Sequence, residues 1–142
     1  MGDASGASAQ RAHNEAAVRG IFAAFSSGDP AGLLAHVADE LVYEAPWYAH
    51  MPVVHGRDAM AGMLAAVQQR FSEIRYDVVD VIHAQDPDVV IAEVRGDHQV
   101  KGRPARYRNH YLMFMRFRDG RVVHWREFSN PDVYRRATGE EG

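Results

Sequence analysis

Near its carboxyl end the chain reads HWREFSNP, His124 to Pro131, which places an ionisable Glu127 between bulky apolar side chains. If this segment is a strand, alternation puts Glu127 on one face with Val123 and Trp125, and Val122, His124, Arg126 and Phe128 on the other. A carboxylate in apolar company is desolvated, which raises its pKa towards the range where general acid/base transfer is efficient. Glu127 is therefore the first candidate catalytic residue, with Trp125 beside it as a candidate for substrate binding. The same pattern also fits a surface charge paired with an arginine of a neighbouring strand, Arg108 or Arg116.

His110, in YRNHYLMFM, is the second catalytic candidate. Its strand face carries Leu112 and Phe114, and the opposite face carries Asn109, Tyr111, Met113 and Met115. A simple hairpin about Asp119 and Gly120 brings residues near 110 to 112 opposite residues near 127 to 129, setting His110 beside Glu127 as proton partner or orienter. Packing in a core or an interface is its other reading. Asn109 offers an amide that can hold a substrate carbonyl. Upstream, YEAPWYAHMPVVHG supplies Tyr43, Trp47 and Tyr48, large amphipathic rings that suit either the rim of a small-molecule pocket or simple core packing. Asp97 and His98, in RGDHQ, face a pocket or solvent.

Composition narrows what these residues serve. The chain has 142 residues, 46% hydrophobic and 25% charged, which fits one globular domain. It has no cysteine, so disulfide and thiolate chemistry are excluded. The net charge is −3 with both signs interleaved and no basic run, so no nucleic-acid partner is expected. No apolar run reaches the ~18 residues of a membrane span. The start MGDASGASAQ lacks a basic segment followed by an apolar core, and a flexible cytoplasmic terminus is expected. Eight histidines form neither an HExxH nor a zinc pattern, and no glycine-rich phosphate loop is present, so neither a metal site nor a cofactor is expected.

The elements that must position the candidates follow from periodicity. Apolar residues recur at helical spacing from about Gln10 to Phe25, then SSGDP stops that helix and starts a second, PAGLLAHVAD. ELVYEA is a strand, PWYAHMPVVHG a loop, and RDAMAGMLAAVQQRF a third helix. RYDVVDVIHA, VVIAEVRGDHQV, RYRNHYLMFMRFR and RVVHWREFS are long strands joined by the turns DPD, KGRPA and DG. Helices followed by a meander of strands predict an α+β domain, with the helices over one face of a bent antiparallel sheet. The domain is expected over residues 10–136, with flexible termini at 1–9 and 137–142.

The element order, the proline-containing loop, the HGRDAM helix entrance and the DGRVVHWREF hairpin resemble the nuclear transport factor 2-like superfamily, in its SnoaL-like branch, over about Arg11 to Arg136. Within that branch DPDVVIAEVRGDHQV, RNHYLMFMRFRDG and REFSNP are similar to the phenazine-biosynthesis A/B proteins. The resemblance implies a cone-shaped α+β barrel wrapped round a pocket, a homodimer through the outer sheet face, and a pocket acid/base residue acting on small cyclic or polyketide-like molecules. The glutamate of the REF segment falls on Glu127. One position departs: where those proteins carry a pocket histidine on the helix after the G-x-D entrance, DAMAGMLAAV places Met63 or a neighbour. The implied chemistry is cofactor-free isomerisation, cyclisation, dehydration or condensation of a carbonyl compound. A ligand-binding or assembly module on the same fold is the alternative.

Overall fold

The structure is a computed structural model that describes residues 2–140, with side chains from residue 6. In chain order its elements are α1 (Gly2–Ser26), α2 (Pro30–Leu34), β1 (Val37–Glu44), β2 (Val54–His55), α3 (Arg57–Arg70), β3 (Phe71–Glu73), β4 (Tyr76–His83), β5 (Val89–Val100), β6 (Arg106–Arg118), β7 (Arg121–Phe128) and α4 (Pro131–Thr138). Gly28, at φ 80°, turns the chain out of α1, and Asp29 then caps α2 by accepting from the Gly32 amide with Pro30 in the first turn. The second helix is shorter than its sequence suggests. Val37 to Asp39 leave it for β1, where Val37 pairs with Val122; β-branched Val37 favours a strand once a partner is present.

Seven strands form one sheet in the order β2-β1-β7-β6-β5-β3, with β4 also paired to β5. The expected antiparallel meander holds from β4 to β7, but β1 lies parallel to β7. Because β1 is separated from β7 by all the intervening elements, it can enter beside the last strand in the parallel sense. The order ends at β2 and β3, so the sheet stays open as it curves over the core, in the cone-shaped α+β arrangement that was expected.

Register decides which side chains reach the core. In the β6–β7 hairpin Met113 lies opposite Glu127 and Met115 opposite Trp125, but an irregularity between Arg116 and Phe117 makes Phe117 the partner of Val122. Val123 is the extra residue of this bulge. The expected face therefore changes: Val122, not Val123, joins Trp125 in the core cluster, with Glu127 on the same side. From α1, Ala17, Val18, Ile21, Phe22 and Phe25 pack onto this inner face, and Leu33 of α2 with Met60 and Leu64 of α3 extend the cover.

The last helix, α4, was not anticipated in the tail, although Asn130 and Pro131 carry its start signal. The Asn130 side chain accepts from the Asp132 amide, Pro131 occupies the first turn, and Gly139 ends the helix at φ 76°. Ala137 and Thr138 are buried, and Arg103 donates to the Thr138 carbonyl at 2.9 Å, so the boundary drawn at residue 136 falls inside a packed helix. At the other end α1 already includes residues 2–9. Met1, Glu141 and Gly142, the extremes of the two expected flexible segments, lie outside the described residues. Among the described residues no helix is long and apolar enough to cross a membrane.

Candidate active site

Between the helices and the inner sheet face lies a cavity of about 340 Å³, with Glu127 in its wall. Seven elements bring aromatic rings to it: Phe22 and Phe25 from α1, Tyr43 from β1, Phe71 from β3, Tyr76 from β4, Tyr107 and Tyr111 from β6, Trp125 from β7 and Tyr134 from α4. Trp125 meets Phe22 and Tyr43 edge-on, with ring centres 6.0 and 5.5 Å apart. These rings are positioned by alternation on the strands and by the i, i+3 spacing of Phe22 and Phe25 on the helix.

Glu127 is surrounded by protein yet keeps partial contact with solvent through the cavity. Burial pushes its pKa up to about 7, and the Tyr43 hydroxyl, which donates to the carboxylate, holds it back in part. No arginine accounts for the residue: Arg108 pairs with Asp97 at 3.3 Å and Arg116 with Asp86 at 3.0 Å, both outside the cavity. The ion-pair reading of Glu127 therefore gives way to a buried titrating carboxyl.

A directed line of hydroxyls runs along the same wall. Tyr107 accepts from Tyr111 at 3.1 Å and from the Asn109 amide at 2.8 Å, which leaves its own hydrogen for Tyr48 at 3.4 Å; Tyr48 in turn lies 2.6 Å from the Ser129 hydroxyl. Burial pushes the Tyr43 and Tyr76 hydroxyls far above their ordinary value, and the charge of Glu127 adds to the shift. Both remain neutral donors at physiological pH.

His98 lies deeper, only 1% exposed, with the Tyr76 ring edge-on at 4.7 Å. The Arg75 amide donates to Nδ1 at 3.1 Å, so the neutral ring carries its proton on Nε2. Burial drives its pKa down to about 4, partly opposed by Asp97, and the ring stays uncharged. A side chain at Gly96 would come 2.9 Å from the Tyr111 ring and 3.1 Å from His98 Nε2, so this strand position must remain bare for the two rings to pack. At one end of the cavity Arg70 pairs with Glu140 at 2.9 Å, and Tyr134 donates to the same carboxylate at 2.7 Å.

The sequence candidates divide between the two faces of the sheet. Tyr43, Tyr48, Met63, Trp125 and Glu127 all line the cavity. Asn109 does not; its amide serves Tyr107 and the Asn130 carbonyl, tying the hydroxyl line to the start of α4. His110 does not line it either. With its side chain 53% exposed, it pairs with Glu93 at 2.6 Å on the outer face. Alternation had grouped it with Leu112 and Phe114, and that is the solvent-facing set; its cross-strand distance from Glu127 is set by Met113, not His110, standing opposite the carboxyl. Trp47 also lies outside, 60% exposed against Phe128 at 5.0 Å. Sequence reading missed Tyr76, Tyr107, Tyr111 and the burial of His98. Tyr107 and Tyr111 share the parity of Met113 and Met115, a signal that was present. Among the described residues no three His, Asp or Glu side chains gather as metal ligands.

A curved α+β sheet folded over an aromatic cavity with one buried carboxyl defines a small-molecule pocket on the nuclear transport factor 2-like fold. The model of the SnoaL-like domain matches residues 18–125, most of the chain, and the chain belongs to that family. A candidate isomerase from Bacillus subtilis is 23% identical, covering 92% of this chain and 95% of its own, with a TM-score of 0.85. A phenazine biosynthesis-related protein from Pseudomonas aeruginosa is 20% identical over 97% and 92%, with a TM-score of 0.75. A protein with a ketosteroid isomerase-like fold from Catenulispora acidiphila, in complex with trimethylamine, is 18% identical over 87% and 92%, with a TM-score of 0.76. At these identities the likeness is one of fold. No curated protein matches the chain.

The raised pKa of Glu127 makes stability depend on pH. The folded state holds the proton more tightly than the unfolded state, so the stabilisation is complete below the ordinary value of 4.5 and is lost as pH rises to about 7. Glu127→Gln removes that dependence. Urea unfolding at pH 5 and pH 8 should therefore show the variant gaining stability relative to the wild type at the higher pH; an identical pH difference in both proteins would refute the assignment.

Proposed function

We propose that the protein is a small-molecule enzyme in which Glu127 moves a proton on a neutral cyclic or polyketide-like carbonyl compound without a cofactor. The observation that carries this reading is a carboxyl in an apolar cavity with its pKa near 7. Such a group is balanced between base and acid at physiological pH. As carboxylate it takes a proton from the carbon next to the carbonyl, the electron pair moves to the carbonyl oxygen, and a neutral tyrosine hydroxyl donates to the developing oxyanion. As carboxylic acid it returns the proton at the same or a conjugated carbon, and the product is an isomer.

One carboxyl suffices for this cycle. The other cavity carboxylate, Glu140, is engaged by Arg70 and Tyr134, and His98 is held neutral. Proton shuttling by a single group supports isomerisation or enolisation ahead of hydrolysis by two carboxyls. Likeness to a candidate isomerase and to a phenazine biosynthesis-related protein agrees with an enzyme of secondary metabolism. Met63 lines the cavity on the helix where the phenazine proteins are expected to carry a histidine, which favours a related reaction over the phenazine-forming condensation. The similar fold that holds trimethylamine favours the second reading, a binding module without turnover.

Proton exchange separates the two readings without knowledge of the natural substrate. In D2O the protein should accelerate exchange of the protons next to the carbonyl of 1-tetralone, more strongly as pH rises through 7, and Glu127→Gln should lower the protein-dependent rate by about a hundredfold or more. Equal exchange in wild type and variant would leave only the binding module.

We also propose that the chain forms a single SnoaL-like domain, extending past residue 136 to the end of α4, that works as a homodimer. Leu112, 44% exposed, and the Phe114–Phe128 pair lie on the outer face of the sheet, where Arg126 stacks over Phe114 at 5.0 Å. Covering such an apolar face by a second copy removes it from water. Sedimentation should give a dimer at micromolar concentration that Leu112→Asp dissociates; a monomeric wild type would refute the assembly.

A further inference from the structure

We infer that Tyr76 is the donor of the cavity, the hydroxyl that hydrogen-bonds the ligand's carbonyl oxygen beside Glu127. The inference rests on the cavity being the substrate site, and it assigns to one side chain the donor that the proton cycle requires. A buried phenol ordinarily gives its hydrogen to a partner within the protein, so a hydroxyl left without one calls for a ligand or water to complete it.

The hydrogens of the cavity's phenols can be followed one by one. Tyr111 donates to Tyr107 at 3.1 Å, and Tyr107, which also accepts from Asn109, has its own hydrogen directed to Tyr48 at 3.4 Å. Tyr48, having accepted from Tyr107, shares a 2.6 Å hydrogen bond with the Ser129 hydroxyl. Tyr134 donates to Glu140 at 2.7 Å, and Tyr43 donates to Glu127. Tyr76 differs: among the described residues its hydroxyl meets no acceptor. Two other donors of the cavity wall also lack partners, His98 Nε2 and Trp125 Nε1, but both nitrogens are sealed off by their neighbours. The Tyr76 hydroxyl is not sealed in this way, and the residue is only partly buried in the cavity wall.

The ring, by contrast, is firmly held. Phe22 lies tilted against it at 5.4 Å, Phe25 stacks on it at 6.2 Å, and His98 and Tyr111 meet it edge-on at 4.7 and 5.9 Å. Its backbone amide donates to the Ser26 hydroxyl at 2.9 Å, and across the sheet it pairs with Gly96, whose missing side chain leaves room for the Tyr111 ring. Packing that fixes a phenol without engaging its hydroxyl makes a preorganised donor. Burial, and after it the charge of Glu127, keeps this phenol protonated, so donor and carboxyl stand within electrostatic reach of each other. As the Glu127 carboxylate takes the proton next to the carbonyl and the electron pair moves to oxygen, the Tyr76 hydrogen bond strengthens without transferring its proton. It relaxes again when Glu127 returns the proton to carbon.

Infrared difference spectra of bound 1-tetralone, carbon-12 against carbon-13 at the carbonyl, read this bond whether or not the protein turns anything over. Tyr76→Phe keeps the ring and breaks no hydrogen bond within the protein. The carbonyl band should lie at lower frequency in the wild type than in Tyr76→Phe, and Tyr48→Phe should leave it at the wild-type position. Protein-dependent exchange of the protons next to the carbonyl should fall about a hundredfold in Tyr76→Phe. A band or an exchange rate that Tyr76→Phe leaves unchanged, a band that Tyr48→Phe moves by as much, or no bound carbonyl band in the wild type would overturn the inference. Exchange that depends on Glu127 but not on Tyr76 would leave the enzymatic reading standing. A band that depends on Tyr76 in a protein that exchanges no protons would instead refute the enzymatic reading and keep Tyr76 as the donor of a binding module.

Discussion

The pairing of β6 with β7 is the constraint on which the site depends. Met113 opposite Glu127 and Met115 opposite Trp125 fix both residues of the last strand on the inner face, and the bulge at Val123 sets their phase. A slip of one residue would send Glu127 to the solvent side and bring Arg126 or Phe128 inwards. Buried neighbours oppose that slip: Val122, Trp125, Met113, Met115 and Phe117 all belong to the core cluster. Packing energy thus holds a carboxyl where hydration is poor, and the cost of desolvating it appears as a raised pKa.

The helices complete the environment rather than supply the chemistry. Phe22 of α1 contacts both Trp125 and Tyr76, so it links the two strand-borne walls of the cavity. At the far end α4 brings Tyr134 against Tyr48 and Tyr107, with ring centres 5.8 and 5.4 Å apart. The hydroxyl line from Tyr111 to Ser129 lies between these supports. A neutral donor next to a titrating carboxyl is suited to holding an oxygen while the carboxyl handles the proton.

Much of this arrangement was legible in the sequence. Alternation alone separated Glu127 and Trp125 from Arg126 and Phe128, and His110, Leu112 and Phe114 from Tyr111, Met113 and Met115. What it lacked was the phase of each face relative to the core and the bulge, which depends on cross-strand partners remote in sequence. That is why His110 was set beside Glu127 when it points to the outer face, and why Val123 was grouped with Trp125. The parallel placement of β1 was likewise a long-range result, since ELVYEA reads the same beside either neighbour. His98 illustrates a different limit: its burial follows from Phe71, Tyr76 and Tyr107 closing round it from three separate strands.

The central claim is that Glu127 is a buried carboxyl without a charged partner among the described residues, and its own titration tests it most directly. Carbon-13 NMR of protein labelled at the glutamate carboxyls, with Glu127→Gln to identify the resonance, reports its midpoint in the ligand-free state. A midpoint near 7 is predicted. A midpoint at or below the ordinary 4.5 would contradict the account, because it would mean that Glu127 is well hydrated or held by a positive charge.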